Sequence, residues 1–238
     1  MKKLPISRLN DLFAAVSAQQ TLYIPSDDAA GQAHFAVWHE GMTLSSAHNT
    51  VRSAKDLFFP QVENLMGFKV TGKQIDLIET RDVLAPFTLF GVRACDCRSF
   101  EILDRVFLAE PADTYYQSRR EHATIVTLAC GEPEETCFCG AFGIDAADPQ
   151  GDVTCWMDGE SLYWRANTEK GETLTRALPM LTDCGGEAVA AQQEQTRSIM
   201  QKLPLAGLKL DAVGAGKTKA LFGSPKWKQL SEACLGCG

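Results

Sequence analysis

Five of the nine cysteines in this chain fall in two short blocks. Cys95 and Cys97 lie in Gly-Val-Arg-Ala-Cys-Asp-Cys-Arg (91–98), and Cys130, Cys137 and Cys139 lie in Leu-Ala-Cys-Gly-Glu-Pro-Glu-Glu-Thr-Cys-Phe-Cys-Gly (128–140). Four thiolates converging from different directions are what an iron–sulfur cube requires. Loops supply that convergence when Gly and Pro let the backbone turn tightly around inorganic sulfide, and Gly131, Pro133 and Gly140 stand in the second block. The candidate ligand set for a [4Fe–4S] cluster is Cys95, Cys130, Cys137 and Cys139, with Cys97 as a spare thiol. Zinc is the competing metal, since four cysteines also close a tetrahedral structural site. Structural zinc usually takes paired C-x2–4-C knuckles, whereas C-x6-C-x-C with one distant Cys is another spacing. The third reading is inert thiols acting as small buried hydrophobes, which do not normally gather in Gly/Pro loops.

A second cysteine signal closes the chain. Cys234 and Cys237 in Ala-Cys-Leu-Gly-Cys-Gly (233–238) have the spacing of the first half of the ferredoxin run C-x2-C-x2-C-x3-C-P. The expectation is that 227–238 opens a ferredoxin-like module of which this chain carries only the beginning, so that these two thiols are partial ligands of an absent second module. A lone C-x-x-C can instead be a dithiol redox pair, but this one follows a helical segment rather than a strand. Residues 1–226 are then the cysteine-containing α/β domain.

Other chemistry has little support. Val213 to Thr218 resembles the end of a P-loop, yet Asp211 stands where the motif needs Gly and would oppose phosphate. His34, His39, His48 and His122 form no metal-ligand pair and read as ordinary surface or strand residues. No G-x-S-x-G or G-x-G-x-x-G is present, and no nucleophile and base pair can be named, so no catalytic residues are assigned.

The elements that must position the thiols are legible in the apolar pattern. Leu9, Leu12, Phe13 and Val16 give one face of a first helix within 5–19. Short runs at 21–24 and 34–39 predict a small antiparallel sheet. The segment 53–67 is split by Pro60, which predicts a helical turn, a break and a second short helix. Buried strands are expected at 87–92 and 123–128, with a helix at 99–108 between them, so that a cysteine loop follows each strand. Asp158-Gly159 between β-prone arms predicts a hairpin over 153–166. Helices are expected at 187–203 and 224–234; 171–186 is the one stretch inside the domain considered for a boundary, but its Pro, Gly and Asp are scattered too evenly to mark one. The fold class is α/β, a mixed sheet with flanking helices and a small antiparallel hairpin element.

Composition removes several function classes. With 23 Lys plus Arg against 30 Asp plus Glu the chain of 238 residues carries −7, which offers no basic footprint for nucleic acid. No run approaches the roughly 18 apolar residues of a membrane span. Lys2 and Lys3 before Leu12 to Val16 faintly imitate a signal peptide, but Arg8, Asn10 and Asp11 interrupt the apolar core. The expectation is a cytoplasmic protein, where nine cysteines point to metal or redox chemistry rather than disulfides.

Four blocks carry a family resemblance: Ser53 to Leu65 (SAKDLFFPQVENL), Phe90 to Asp96 (FGVRACD), Tyr115-Tyr116 before Arg119-Arg120-Glu121, and Cys130 to Gly140 (CGEPEETCFCG). In order and spacing they resemble the N-terminal region of the 4Fe–4S dicluster proteins. That family includes the β subunits of soluble sulfhydrogenases and the A component of anaerobic sulfite reductase. The resemblance implies an electron-transfer component of an oxidoreductase complex rather than a catalytic one. It would relay electrons between a flavin and NAD(P)-binding partner and a catalytic subunit of hydrogenase or sulfite reductase type. It carries the ligand positions onto Cys95, Cys130, Cys137 and Cys139, and a ferredoxin module onto Trp227 and the Cys234/Cys237 pair. The alternative function is a zinc-stabilised, cysteine-rich docking domain without redox activity. Arg93 and Arg98 flank Cys95 and would raise a cluster's potential, while Asp96, Glu132, Glu134 and Glu135 would lower it. The sequence leaves the net sign open.

Overall fold

A computed structural model of the chain describes residues 1–214 and 216–234. Its strands are β1 (Lys2–Pro5), β2 (Thr21–Asp27), β3 (Ala33–Val37), β4 (Met66–Thr71), β5 (Gln74–Glu79), β6 (Phe87–Val92), β7 (Ala123–Leu128), β8 (Val153–Met157), β9 (Ser161–Ala166) and β10 (Thr182–Asp183). Its α-helices are α1 (Leu9–Ser17), α2 (Ala94–Phe107), α3 (Thr114–His122), α4 (Glu169–Arg176), α5 (Glu187–Lys202), α6 (Lys217–Ala220) and α7 (Lys226–Ser231).

All six positions of β6 and of β7 are buried, which is how strands covered on both faces read in sequence. Alternation sorts their side chains. Phe90 and Val126 face a core shared with Leu9, Leu12, Phe13 and Val16 of α1 and Leu174 of α4. Leu89 and Ile125 face a second core with Phe100 of α2, Tyr116 of α3 and Phe58. The result is a mixed α/β architecture, an eight-stranded sheet in the order β10-β1-β9-β8-β7-β6-β2-β3 beside a separate two-stranded sheet, β4-β5. β2, β6, β7 and β8 run parallel, and the remaining pairings of the large sheet are antiparallel. Among the described residues no helix is long and apolar enough to cross a membrane.

Several expectations are corrected. The runs at 21–24 and 34–39 pair antiparallel as β2 and β3, but they form the margin of the large sheet because β2 also pairs parallel with β6. After Pro60 there is no second helix; only Ala54–Leu57 is helical, as a 3-10 turn. Instead Phe68 opposes Leu77 and Val70 opposes Ile75 across the β4–β5 hairpin, a period of two, with Gly72 at φ +63 in its tight turn. The 153–166 hairpin forms as β8 and β9 and belongs to the large sheet. Residues 171–186 pack on the body: Leu174, Leu178 and Leu181 enter the main core and β10 pairs with β1. The first strand and the helices α3 and α4 went unread. α3 is started by Asp113, whose carboxylate accepts from the amides of Tyr115 and Tyr116, an N-cap hidden in a polar stretch.

The correction that matters for the site is α2. It begins at Ala94 rather than 99, so Cys95 and Cys97 occupy its first turn and not a loop.

Candidate functional site

Parallel pairing makes β6 and β7 end at the same edge of the sheet, where ligand sites of open α/β sheets form. The register between them slips at Phe90/Val92, and Gly91 sits in that bulge at φ +89. A Cβ on Gly91 would also lie 3.0 Å from Cδ and Cγ of Pro25, so only glycine fits both the conformation and the space. The bulge delivers Arg93 and then Cys95 to the edge.

The second block arrives from β7. The Cys130 amide donates to the Ala146 carbonyl at 2.9 Å, and the buried Thr196 hydroxyl of α5 donates to the Cys130 carbonyl at 2.9 Å. Both backbone groups of this buried residue are therefore satisfied, and the loop is tied to α5. The Cys137 amide donates to the Glu134 carbonyl at 2.9 Å, and Cys139 opens a 3-10 turn, Cys139–Phe142. Gly143 at φ +67 ends that turn. The left-handed position of the loop thus belongs to Gly143; Gly131 and Gly140 do not adopt positive φ.

Cys95, Cys130, Cys137 and Cys139 all line one cavity of about 290 Å³, whose walls also include His48, Arg93, Phe138, Phe142 and Met200. Cys130 is buried, Cys137 and Cys139 are half-buried, and Cys95 is exposed. Cys139 hydrogen-bonds to Cys95 and, together with backbone amides at the start of α2, brings the Cys95 thiol down to about 7. The same hydrogen bond holds Cys139 protonated, its thiol pushed well up. Burial raises Cys130 to about 11. Each thiol that binds a metal must lose its proton on binding. As they stand, no three His, Cys, Asp or Glu side chains among the described residues are arranged to hold a metal ion.

Cys97 is turned away from the other four. Two residues on a helix subtend about 200°, so Cys95 and Cys97 cannot share a face. The Cys97 thiol donates to the Gln150 carbonyl, is raised by burial to about 12, and lines neighbouring cavities of about 540 and 350 Å³ instead. Cys155 is fully buried in β8, and Cys184 is half-buried beside the first strand, its amide donating to the Met1 carbonyl. Cys234 is exposed beyond α7, and Cys237 lies outside the described residues.

Sequence reasoning passed over two wall residues. His48 reads as an ordinary surface histidine, yet it lines the cavity, and burial, then the nearby Arg93, lowers its pKa. Its loop has no periodic pattern that would announce this. Met200 lies in the helix expected at 187–203, and only the packing of α5 brings it to the thiols.

The chain is 32% identical over 157 residues to sulfhydrogenase 2 subunit beta of Pyrococcus furiosus. The aligned stretch is 64% of this chain and 45% of that protein, so the chain matches less than half of its relative's length. No protein-family model matches the chain, and no solved structure matches it.

Proposed function

We propose that this chain is an iron–sulfur electron-transfer subunit of an anaerobic oxidoreductase complex, of hydrogenase or sulfite reductase type. It would hold a [4Fe–4S] cluster on Cys95, Cys130, Cys137 and Cys139 and stand between a flavin and NAD(P)-binding partner and a catalytic subunit. The observation that carries the reading is that these four thiols, from two separate segments, line a single cavity. Similarity to a sulfhydrogenase β subunit supports a role as one chain among several.

The donor set fits such a group. A single zinc ion would draw four thiolates to about 2.3 Å of one point. Thiols spread around a cavity of about 290 Å³ suit a body that brings its own iron and sulfide between them. When bound, such a cluster accepts and releases one electron at a time. The chain supplies the rest. Thr196 and Ala146 hold the Cys130 backbone, α2 presents Cys95, and the 3-10 turn presents Cys139. Phe138, Phe142, Ile144 and Met200 give the cavity an apolar wall beside the sulfurs. Within this reading 1–226 is the cluster domain of a cytoplasmic protein, and 227–238 begins a ferredoxin-like module to which Cys234 and Cys237 belong.

The test is iron, acid-labile sulfide and zinc per chain on anaerobically purified protein, with absorption spectra before and after dithionite. About four irons and four sulfides with a brown colour that bleaches is the expected result. Stoichiometric zinc in a colourless protein would replace this reading with a docking domain.

A further inference from the structure

The cations near the thiols differ in what surrounds them. Arg98 is paired with Glu101 and faces the cavity of Cys97. Arg197 is paired with Asp145 at 2.7 Å. Arg93 lines the thiol cavity itself, and its guanidinium is spent on backbone carbonyls, Nε to His48 at 3.1 Å and Nη1 to Leu128 at 3.3 Å and Ala129 at 3.0 Å. Among the described residues no carboxylate lies within ion-pair distance of it. Carbonyl dipoles orient a guanidinium without cancelling its charge, so a full positive charge stands on the wall of a cavity lined by four thiols. Of the opposing carboxylates, Glu132, Glu134 and Glu135 are exposed, where water and salt screen them, and the half-buried Asp96 is offset by Lys55, whose Nζ lies 3.6 Å away, and accepts from the Ser53 hydroxyl at 2.5 Å.

We propose that Arg93 is the residue that sets the reduction potential of this centre, raising it by stabilising the added electron. The inference rests on the cluster reading above and assigns a sign to the balance that the sequence leaves open. Its two anchors also brace the site, because they join the loop carrying His48 to the end of β7 just before Cys130. A charge role and a bracing role are separable: Arg93→Gln removes the charge and keeps amide donors, whereas Arg93→Lys keeps the charge and loses the fork.

The experiment is a redox titration followed by electron paramagnetic resonance, on wild type, Arg93→Gln, Arg93→Lys and Arg98→Gln, with iron and sulfide measured on the same samples. Loss of one nearby charge should lower the reduced-to-oxidised ratio of Arg93→Gln at a fixed potential by about tenfold, a downward shift of about 59 mV for a one-electron couple. Arg93→Lys should stay near the wild-type potential, and Arg98→Gln should move within about twofold because its charge is already paired. A fully loaded Arg93→Gln with the wild-type potential overturns the inference. If Arg93→Gln cannot hold a cluster, Arg93→Lys decides: recovery of cluster and potential supports the charge role, and failure to load assigns Arg93 to bracing alone. Absence of iron and sulfide from the wild type would instead sink the cluster reading itself.

Discussion

The carboxyl edge of the sheet and its interior both contain cysteine, in opposite surroundings. At the edge, four thiols of graded exposure stand around a cavity, on a helix turn and loops tied to α5. In the interior, Cys155 lies between Leu128 of β7 and Trp164 of β9, and burial pushes its thiol well above the usual range. Cys97 repeats the contrast over two residues: the thiol of Cys95 is brought down to about 7 and that of Cys97 raised to about 12. Residue type is the same throughout. What differs is whether the surrounding chain faces the thiol with others of its kind, turns it to a backbone carbonyl as at Cys97, or seals it in apolar packing as at Cys155.

The comparison breaks most sharply at the thiols themselves. Cys137→Ser should abolish or greatly weaken cluster binding, whereas Cys155→Ala should keep the iron content and cost about 1 kcal/mol of stability as a small core truncation. Iron and sulfide assays with urea unfolding check both, and equal iron loss in the two variants would erase the distinction between edge and interior.

Next in size is Trp156→Ala, which removes a fully buried indole whose Nε1 donates to the Ala147 carbonyl at 2.8 Å. A loss of about 3–5 kcal/mol is expected in denaturant unfolding, with iron per folded chain retained. Asp104→Asn should cost about 1.5–3 kcal/mol at neutral pH, because Asp104 accepts from Arg120 Nε and Nη2 at 2.8 and 2.9 Å and from the Tyr116 hydroxyl at 2.6 Å. Burial alone would raise the Asp104 carboxyl, but the bonds from Arg120 and Tyr116 outweigh it and leave the pKa below 3.8. A carboxylate lowered on folding stabilises fully above its unfolded value and loses that contribution as pH falls through the folded value. The gap between wild type and Asp104→Asn should therefore close below about pH 4, which stability measured between pH 2 and 7 would reveal as a shrinking difference. The smallest effect belongs to the hairpin. Phe68 is 71% exposed on β4, so Phe68→Ser should change stability by less than about 0.5 kcal/mol; a thermal shift comparable to that of Asp104→Asn would mean that the hairpin packs on the body.

Legibility in the sequence follows the range of the interaction. β6 and β7 could be read to the residue because two-sided burial writes an unbroken apolar run into the strand itself. α1 could be read because Leu9, Leu12, Phe13 and Val16 share one face. The second helix expected after Pro60 was wrong because Met66, Phe68 and Val70 alternate with period two in a segment too exposed to look like a buried strand. The start of α2 was misplaced because Arg93 caps it without any side-chain hydrogen bond, leaving no Ser, Thr, Asp or Asn to mark it.

The strands at the centre of the sheet and the two blocks in which thiols gather are written in consecutive residues and can be read from them. Which thiols face one another is a property of the folded chain. The direction of a side chain on a helix turn, the arrival of His48 from an irregular loop and of Met200 from α5, and the absence of a carboxylate beside Arg93 among the described residues all depend on contacts between segments far apart in the chain. Those contacts are fixed by the packing of the sheet and its helices around three apolar cores, the third joining Val189 of α5 to Ala129 and Trp156, and no local pattern of residues encodes them.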